Sequence, residues 1–148
     1  IVGNGADRKW LDQEVSKLKL ESRVHVVGSV LHENLPEYFS AADLFCLPSY
    51  REGVPNVLME AMSSGKPCVA SNVDGIPEVL ADFCGVMPPP QNTDALTTAI
   101  ELALSCNWDS SRIRSHASQY SWEATGDKYA EVIYQTLQHV ACKRRIRN

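Results

Sequence analysis

The chain has 148 residues, of which 44% are hydrophobic and 22% charged, and its net charge is −4. That length supports one globular domain with a real core. The acidic balance argues against nucleic acid as the main partner, because phosphate binding wants a basic field, and no apolar run is long enough to span a bilayer.

Short apolar runs alternate with helical stretches. Ile1–Gly3 reads as the end of a strand leading into a Gly-Asn-Gly turn, so the expectation is a chain whose first strand or strands precede residue 1. From about Asp7 to Leu20, the residues Trp10, Leu11, Val15 and Leu18 fall at helical spacing. Arg23–Gly28 (RVHVVG) is a predicted strand, and Leu35–Ala42 a short helix with proline near its start. Leu44–Pro48 is a second predicted strand, followed by a loop, Ser49–Pro55. Asn56–Gly65 reads as a helix that Gly65 ends. Pro67–Ser71 is a strand, GIPEVLA (Gly75–Ala81) a short helix with Pro77 in its first turn, and Gly85–Pro89 a last strand. Helices are predicted over about 93–106, 109–119 and 122–141.

Strands that alternate with helices predict a parallel sheet with right-handed crossovers. LFCL and CVA are apolar without alternation, as expected of strands covered on both faces. The expected fold class is therefore α/β, a doubly wound, Rossmann-like parallel sheet. The five cysteines, Cys46, Cys68, Cys84, Cys106 and Cys142, are odd in number and lack metal or redox spacing. They predict free thiols in a reducing compartment, the cytosol, with Cys46 and Cys68 acting as small hydrophobes.

The candidate site centres on EGVPNVLMEAMSSGKPCVAS, residues 52–71. Glu52 lies just before a predicted helix and Glu60 about two turns into it. In open α/β sheets, ligands bind beyond the carboxyl ends of the strands, where the Ser49–Pro55 loop falls. A helix N-terminus offers unpaired N–H groups that suit a diphosphate, and Gly53 allows close backbone approach. Eight residues at about 1.5 Å each span at most about 12 Å if helical. Two carboxylates over that interval could accept hydrogen bonds from a sugar at one end and a ribose at the other. Dipole and solubility reasons alone also place glutamates this way.

The run EGVPNVLMEAMSSGKPCVASNVDGIPEVL resembles the E-x7-E signature of retaining glycosyltransferases of family 4, which have the GT-B fold. IVGNGADR, RVHVVGSV, LPEYFSAADLFCLPS, VMPPP with DALTTAI, and YSWEATGDKYAEVI are similar to successive segments of that family's C-terminal domain. The resemblance implies that residues 1–148 are an incomplete nucleotide-sugar-binding C-terminal domain. The acceptor-binding N-terminal domain and the basic residues gripping the diphosphate would precede residue 1.

By the same resemblance, Glu52 is the catalytic-site carboxylate holding donor-sugar hydroxyls, and Glu60 takes the ribose hydroxyls. Backbone groups of Gly53, Val54, Asn56 and Val57 would face sugar and diphosphate, and Gly28 and Val30 the base. Many members read Glu-Gly-Phe-Gly where this chain reads Glu52-Gly53-Val54-Pro55, and Pro55 removes one N–H donor. The implied activity is metal-independent hexosyl transfer, with retention, from a UDP- or GDP-sugar to a hydroxyl of an acceptor glycan or lipid-linked glycan. No cofactor is implied. The alternatives are a non-catalytic nucleotide-sugar-binding module, or another GT-B enzyme such as a nucleotide-sugar epimerase.

Arg51 could contact phosphate, pair with Glu52 or be solvated. His25 reads as a strand-edge residue, and His116 and His139 lie on helices with nothing metal-like nearby. Trp122 reads as a core or domain-packing anchor. The tail CKRRIRN suggests helix-dipole interaction and solubility, or contact with an anionic membrane face. The expected location is the cytoplasm, including the inner face of the membrane.

Overall fold

A computed structural model describes residues 1–146, with side chains as far as His139. It divides the chain into two compact units, Ile1–Tyr38 and Phe39–Asn148.

In the first unit, α1 spans Arg8–Lys17. A parallel bridge joins Val2 to Gly28, with Gly3 N–H donating to Gly28 O at 2.7 Å and Val27 N–H to Ile1 O at 2.9 Å. In place of the predicted strand Arg23–Gly28, this segment carries the single Val2–Gly28 bridge. Arg8 ties α1 to this segment, donating from Nη2 to Val26 O at 2.9 Å and pairing with Asp12 at 2.9 Å. A 3₁₀ turn over His32–Asn34 leads into α2, Leu35–Ala41, and the division between the units falls inside that helix.

The second unit runs β1 (Phe45–Leu47), α3 (Asn56–Ser63), β2 (Cys68–Ala70), α4 (Ile76–Val79) and β3 (Gly85–Val86). It continues with α5 (Thr93–Ser105), α6 (Ser110–Ala117), a 3₁₀ turn at Ser118–Tyr120 and α7 (Trp122–Ile146). The three strands form one parallel sheet in the order β1-β2-β3. Phe45 is in register with Cys68, Leu47 with Ala70, and Cys68 with Gly85. The α/β class and the parallel sheet stand as expected, with every strand shorter than its apolar run.

Burial explains the layering. Val69 on β2 packs with Ala99 and Ala103 of α5, with Leu44, Val86 and Trp108 around them. Side chains alternate across a strand, so Cys68 and Ala70 face the other layer, and all three β2 residues are buried. On that side α3 packs against β1 and β2, and α6 packs against α3. Leu58, Met62 and Ile113 are completely buried there.

Two sequence expectations change. Cys46 is exposed, not a core hydrophobe. It shares the face of its register partner Val69, but α5 packs mainly over β2 and β3. Trp122 is 85% exposed, so it anchors no core among the described residues, and Tyr129, Ile133 and Leu137 along α7 are exposed as well. Cys68 and Cys84 are buried, and burial pushes both thiols up. The basic tail lies outside the described side chains. No helix among the described residues is long and apolar enough to cross a membrane.

Helix ends follow local chemistry. Asn92 caps α5 by accepting from Ala95 N–H at 2.9 Å, and Asp109 caps α6 by accepting from Ser111 and Arg112 N–H at 3.0 Å. Gly65, at φ +75°, ends α3. Its N–H donates to Met62 O at 2.8 Å and Lys66 N–H to Ala61 O at 3.1 Å, a Schellman arrangement.

Gly85 is the tightest point of the sheet, since a Cβ there would overlap the Cys68 backbone. Gly85→Ala should therefore separate β3 from β2 and cost at least about 2 kcal/mol. Urea unfolding checks this, and a midpoint within error of the unmodified chain would show the strand pair to be less constrained than described.

Candidate functional site

The loops after the three strands gather at one end of the second unit. Loop Pro48–Pro55 follows β1, Ser71–Gly75 follows β2, and Met87–Asn92 follows β3. Backbone bonds tie them: Ser71 N–H donates to Leu47 O at 3.1 Å, and Asn72 N–H to Pro88 O at 2.9 Å. Brought together at the carboxyl ends of parallel strands, these loops occupy the usual ligand position of such sheets.

Glu52 is fixed from two directions. Ser49 Oγ donates to its carboxylate at 2.8 Å, and its own backbone N–H donates to Asp74 Oδ2 at 3.0 Å. The Ser49 bond orients an otherwise flexible side chain, and Glu52 is half-buried. Asp74 sits at φ +44°, a left-handed turn conformation that Asp tolerates better than most residues.

The next constraint is steric. A Cβ on Gly75 would lie 2.6 Å from Gly53 O and 2.9 Å from Val54 Cγ2. Only glycine lets the β2–α4 turn lie so close against the β1–α3 loop. Gly53 is the opposite case. It is exposed, its φ lies outside the left-handed region, and a Cβ there would meet nothing within 4 Å. The fold has no internal requirement for glycine at 53.

The backbone donors of this loop are open. Pro55 is the N-cap of α3 and supplies no side-chain cap bond. Among the described residues, the N–H groups of Gly53, Val54, Asn56 and Val57 make no hydrogen bond. They lead into the positive end of α3. Gly53, Val54 and Asn56 are exposed and Val57 half-buried.

Glu60 is half-buried and lies on the second turn of α3. The helix begins only at Asn56, so Glu60 is just over one turn from its start, not two. The separation from Glu52 is therefore set by the extended Pro55 and its loop as much as by helical rise. Arg51 is exposed and forms no ion pair among the described residues. Gly28 and Val30 belong to the first unit, both half-buried, with Gly28 at φ +86° beside the Arg8 guanidinium. His116 has a structural role: Nε2 meets Val79 O at 2.8 Å, and the ring packs edge-on to Phe83 and Tyr120.

Sequence reasoning missed Ser49, Asp74 and Gly75 as supports of Glu52. The Asp-Gly pair at 74–75 is a turn signal, but its partner is 22 positions away.

A family model described as glycosyl transferases, group 1, matches residues 1–121. The chain is 36% identical over 124 residues to the O-antigen chain mannosyltransferase B of Escherichia coli, covering 78% of this chain and 32% of that protein. Sucrose-phosphate synthase from Thermosynechococcus elongatus superposes with a TM-score of 0.73 at 31% identity, covering 91% of this chain and 35% of the other. HepE from Anabaena, solved in complex with UDP-glucose, superposes with a TM-score of 0.74 at 27% identity, covering 90% and 40%. The chain thus spans about a third of the length of the curated relatives it matches.

The two glycines separate loop positioning from ligand approach. Gly75→Ala should displace the Gly53–Val54 backbone and broaden or shift the amide signals of residues 51–57. Gly53→Ala should leave those signals and the unfolding midpoint nearly unchanged. Equal disturbance by both substitutions in amide spectra would refute the assignment of Gly75 as the support.

Proposed function

The chain belongs to the group 1 glycosyl transferases, and we propose that it is the donor-binding part of a retaining glycosyltransferase. The reaction moves a sugar from a nucleotide-diphosphate sugar to an acceptor hydroxyl. The observation that carries this reading is the row of unbonded N–H groups at Gly53, Val54, Asn56 and Val57, running from an oriented Glu52 into α3.

As the bond from the sugar to the diphosphate breaks, negative charge grows on the leaving phosphate and positive charge on the sugar ring. Fixed N–H dipoles and the N-terminus of α3 stabilise the first. The Glu52 carboxylate, held by Ser49, accepts from donor-sugar hydroxyls and stabilises the second by proximity. Glu60, one turn into α3, takes the ribose hydroxyls. Gly53 leaves room for the ligand where a side chain would intrude. Gly28 and Val30, in the first unit, keep the base-facing role that the resemblance implies.

Relatives solved with UDP-glucose support a nucleotide-sugar donor. The acceptor, the membrane contact of the basic tail and the cytoplasmic location remain parts of the same proposal.

The test is an amide NMR titration of the full chain with UDP, GDP and ADP. One nucleotide should shift Gly53–Glu60, and Glu60→Ala should weaken it by roughly tenfold or more, the loss of a charge-assisted hydrogen bond. Gly53→Ala should weaken nucleotide-sugar more than free nucleotide. In activity assays of the full-length enzyme, Glu52→Gln should lower kcat by about 10²-fold with nucleotide affinity within about twofold, as expected for a group acting on transition-state charge. Nucleotide binding that leaves Gly53–Glu60 unshifted would refute the reading.

A further inference from the structure

Arg8 opens α1, and two of its three guanidinium nitrogens are fixed. Nε donates to the Asp12 carboxylate at 2.9 Å and Nη2 to Val26 O at 2.9 Å. Nη1 has no acceptor among the described residues. It lies on the side of Gly28, where an added Cβ would come 3.6 Å from it and meet no other atom within 4 Å. Glycine at 28 thus leaves the unused N–H groups of an immobilised guanidinium uncovered.

Asp7 supplies an unused acceptor beside them. It is the N-cap of α1, where aspartate ordinarily accepts from first-turn N–H groups, yet it makes no side-chain cap bond. Its exposed carboxylate forms no ion pair among the described residues either. Asp7 and Arg8 line one cleft of about 360 Å³, with the Gly3–Gly5 turn, Trp10 and Val26 around it. Small-molecule sites typically measure roughly 300–1,000 Å³. Gly3 N–H donates to Gly28 O at 2.7 Å, so the cleft adjoins the segment to which the donor reading gives the base. A free donor and a free acceptor therefore share one cleft within the first unit.

We propose that Arg8 and Asp7 select the nucleobase of the donor by reading a ring carbonyl together with the ring N–H next to it. Uracil carries that edge as O4 with N3–H, and guanine as O6 with N1–H. Arg8 Nη1, which only donates, meets the carbonyl, and the Asp7 carboxylate, which only accepts, meets the N–H. Cytosine and adenine reverse both groups: an amino donor faces the guanidinium and an unprotonated ring nitrogen faces the carboxylate. The wrong base leaves two charged groups unpaired, which is how a hydrogen-bonding site rejects a close analogue. The Asp12 and Val26 contacts preset the guanidinium, so little side-chain freedom is lost on binding. The inference rests on the donor reading and adds to it the residues that choose the base.

The test is a calorimetric titration of the full-length enzyme with UDP, CDP, GDP and ADP. UDP with CDP, and GDP with ADP, each exchange the carbonyl edge for the amino edge at similar size. In at least one pair the carbonyl-bearing nucleotide should bind roughly tenfold or more tightly. Arg8→Met, which keeps the apolar stem and removes the donors, should cut that preference to about twofold by weakening the carbonyl-bearing member alone. Asp7→Ala, whose side chain carries no bond of the fold, should do the same and tests the proposal even where Arg8→Met fails to fold. A purely structural role in tying α1 down would weaken both members of a pair equally, and that result overturns the proposal. So does a preference that survives either substitution, or no preference in the unmodified enzyme. Glu60→Ala should weaken all four nucleotides alike. Its effect without an effect of Arg8→Met or Asp7→Ala on the ratio sinks the base-reading pair alone, whereas affinity indifferent to Glu60→Ala sinks the donor reading.

Discussion

A side chain on Gly75 would strike the carbonyl of Gly53, with Cβ and oxygen only 2.6 Å apart. The close backbone approach that glycine permits sets the position of the Glu52 loop. Asp74, one residue earlier, holds the same loop by accepting from Glu52 N–H at 3.0 Å. One contact is steric and the other a charge-assisted hydrogen bond. Together they pin the loop to the turn after β2, and β2 is the fully buried centre of the sheet. The rigidity of the core thereby reaches the site over a short path.

The pinned loop divides its polar groups by sign. Carboxylates of Glu52 and Asp74 face donors, Ser49 Oγ and the Glu52 N–H respectively. The backbone N–H groups from Gly53 to Val57, apart from Pro55, are left without acceptors among the described residues. A molecule with hydroxyls at one point and an anionic bridge at another meets both requirements. Pro55 fits this division: it is buried, caps α3 in an extended conformation and has no N–H to leave unpaired.

A neutral cavity beside this loop belongs to the same three strand ends but has a different chemistry. Prolines, a tyrosine and uncharged polar groups line it, with no acidic or basic side chain among them. The bond between Asn72 N–H and Pro88 O, at 2.9 Å, fixes the far wall of this cavity to the turn after β2. A displacement of that turn, such as Gly75→Ala should cause, therefore reaches the loops after β1 and β3 as well.

The sequence alone determined the alternation of strands and helices, the parallel sheet, the α3 stop at Gly65 and the loop carrying Glu52. These follow from local signals: apolar runs, helical spacing and turn residues. The row of backbone donors at 53–57 was legible for the same reason, since a loop entering a helix leaves its first N–H groups unbonded. What tertiary structure decided was anything resting on a distant partner. The predicted strand RVHVVG carries one bridge, because pairing is set by a partner that its own apolar pattern does not name. Cys46 came out exposed because α5 lies over β2 and β3, and Trp122 because no described element covers it. Ser49, Asp74 and Gly75 became supports of Glu52, and Ser71 joined Gln91 at one cavity, only once the strand ends were brought together. Sequence specifies each element through neighbours a few residues apart, whereas a site is built from contacts whose partners chain folding alone makes adjacent.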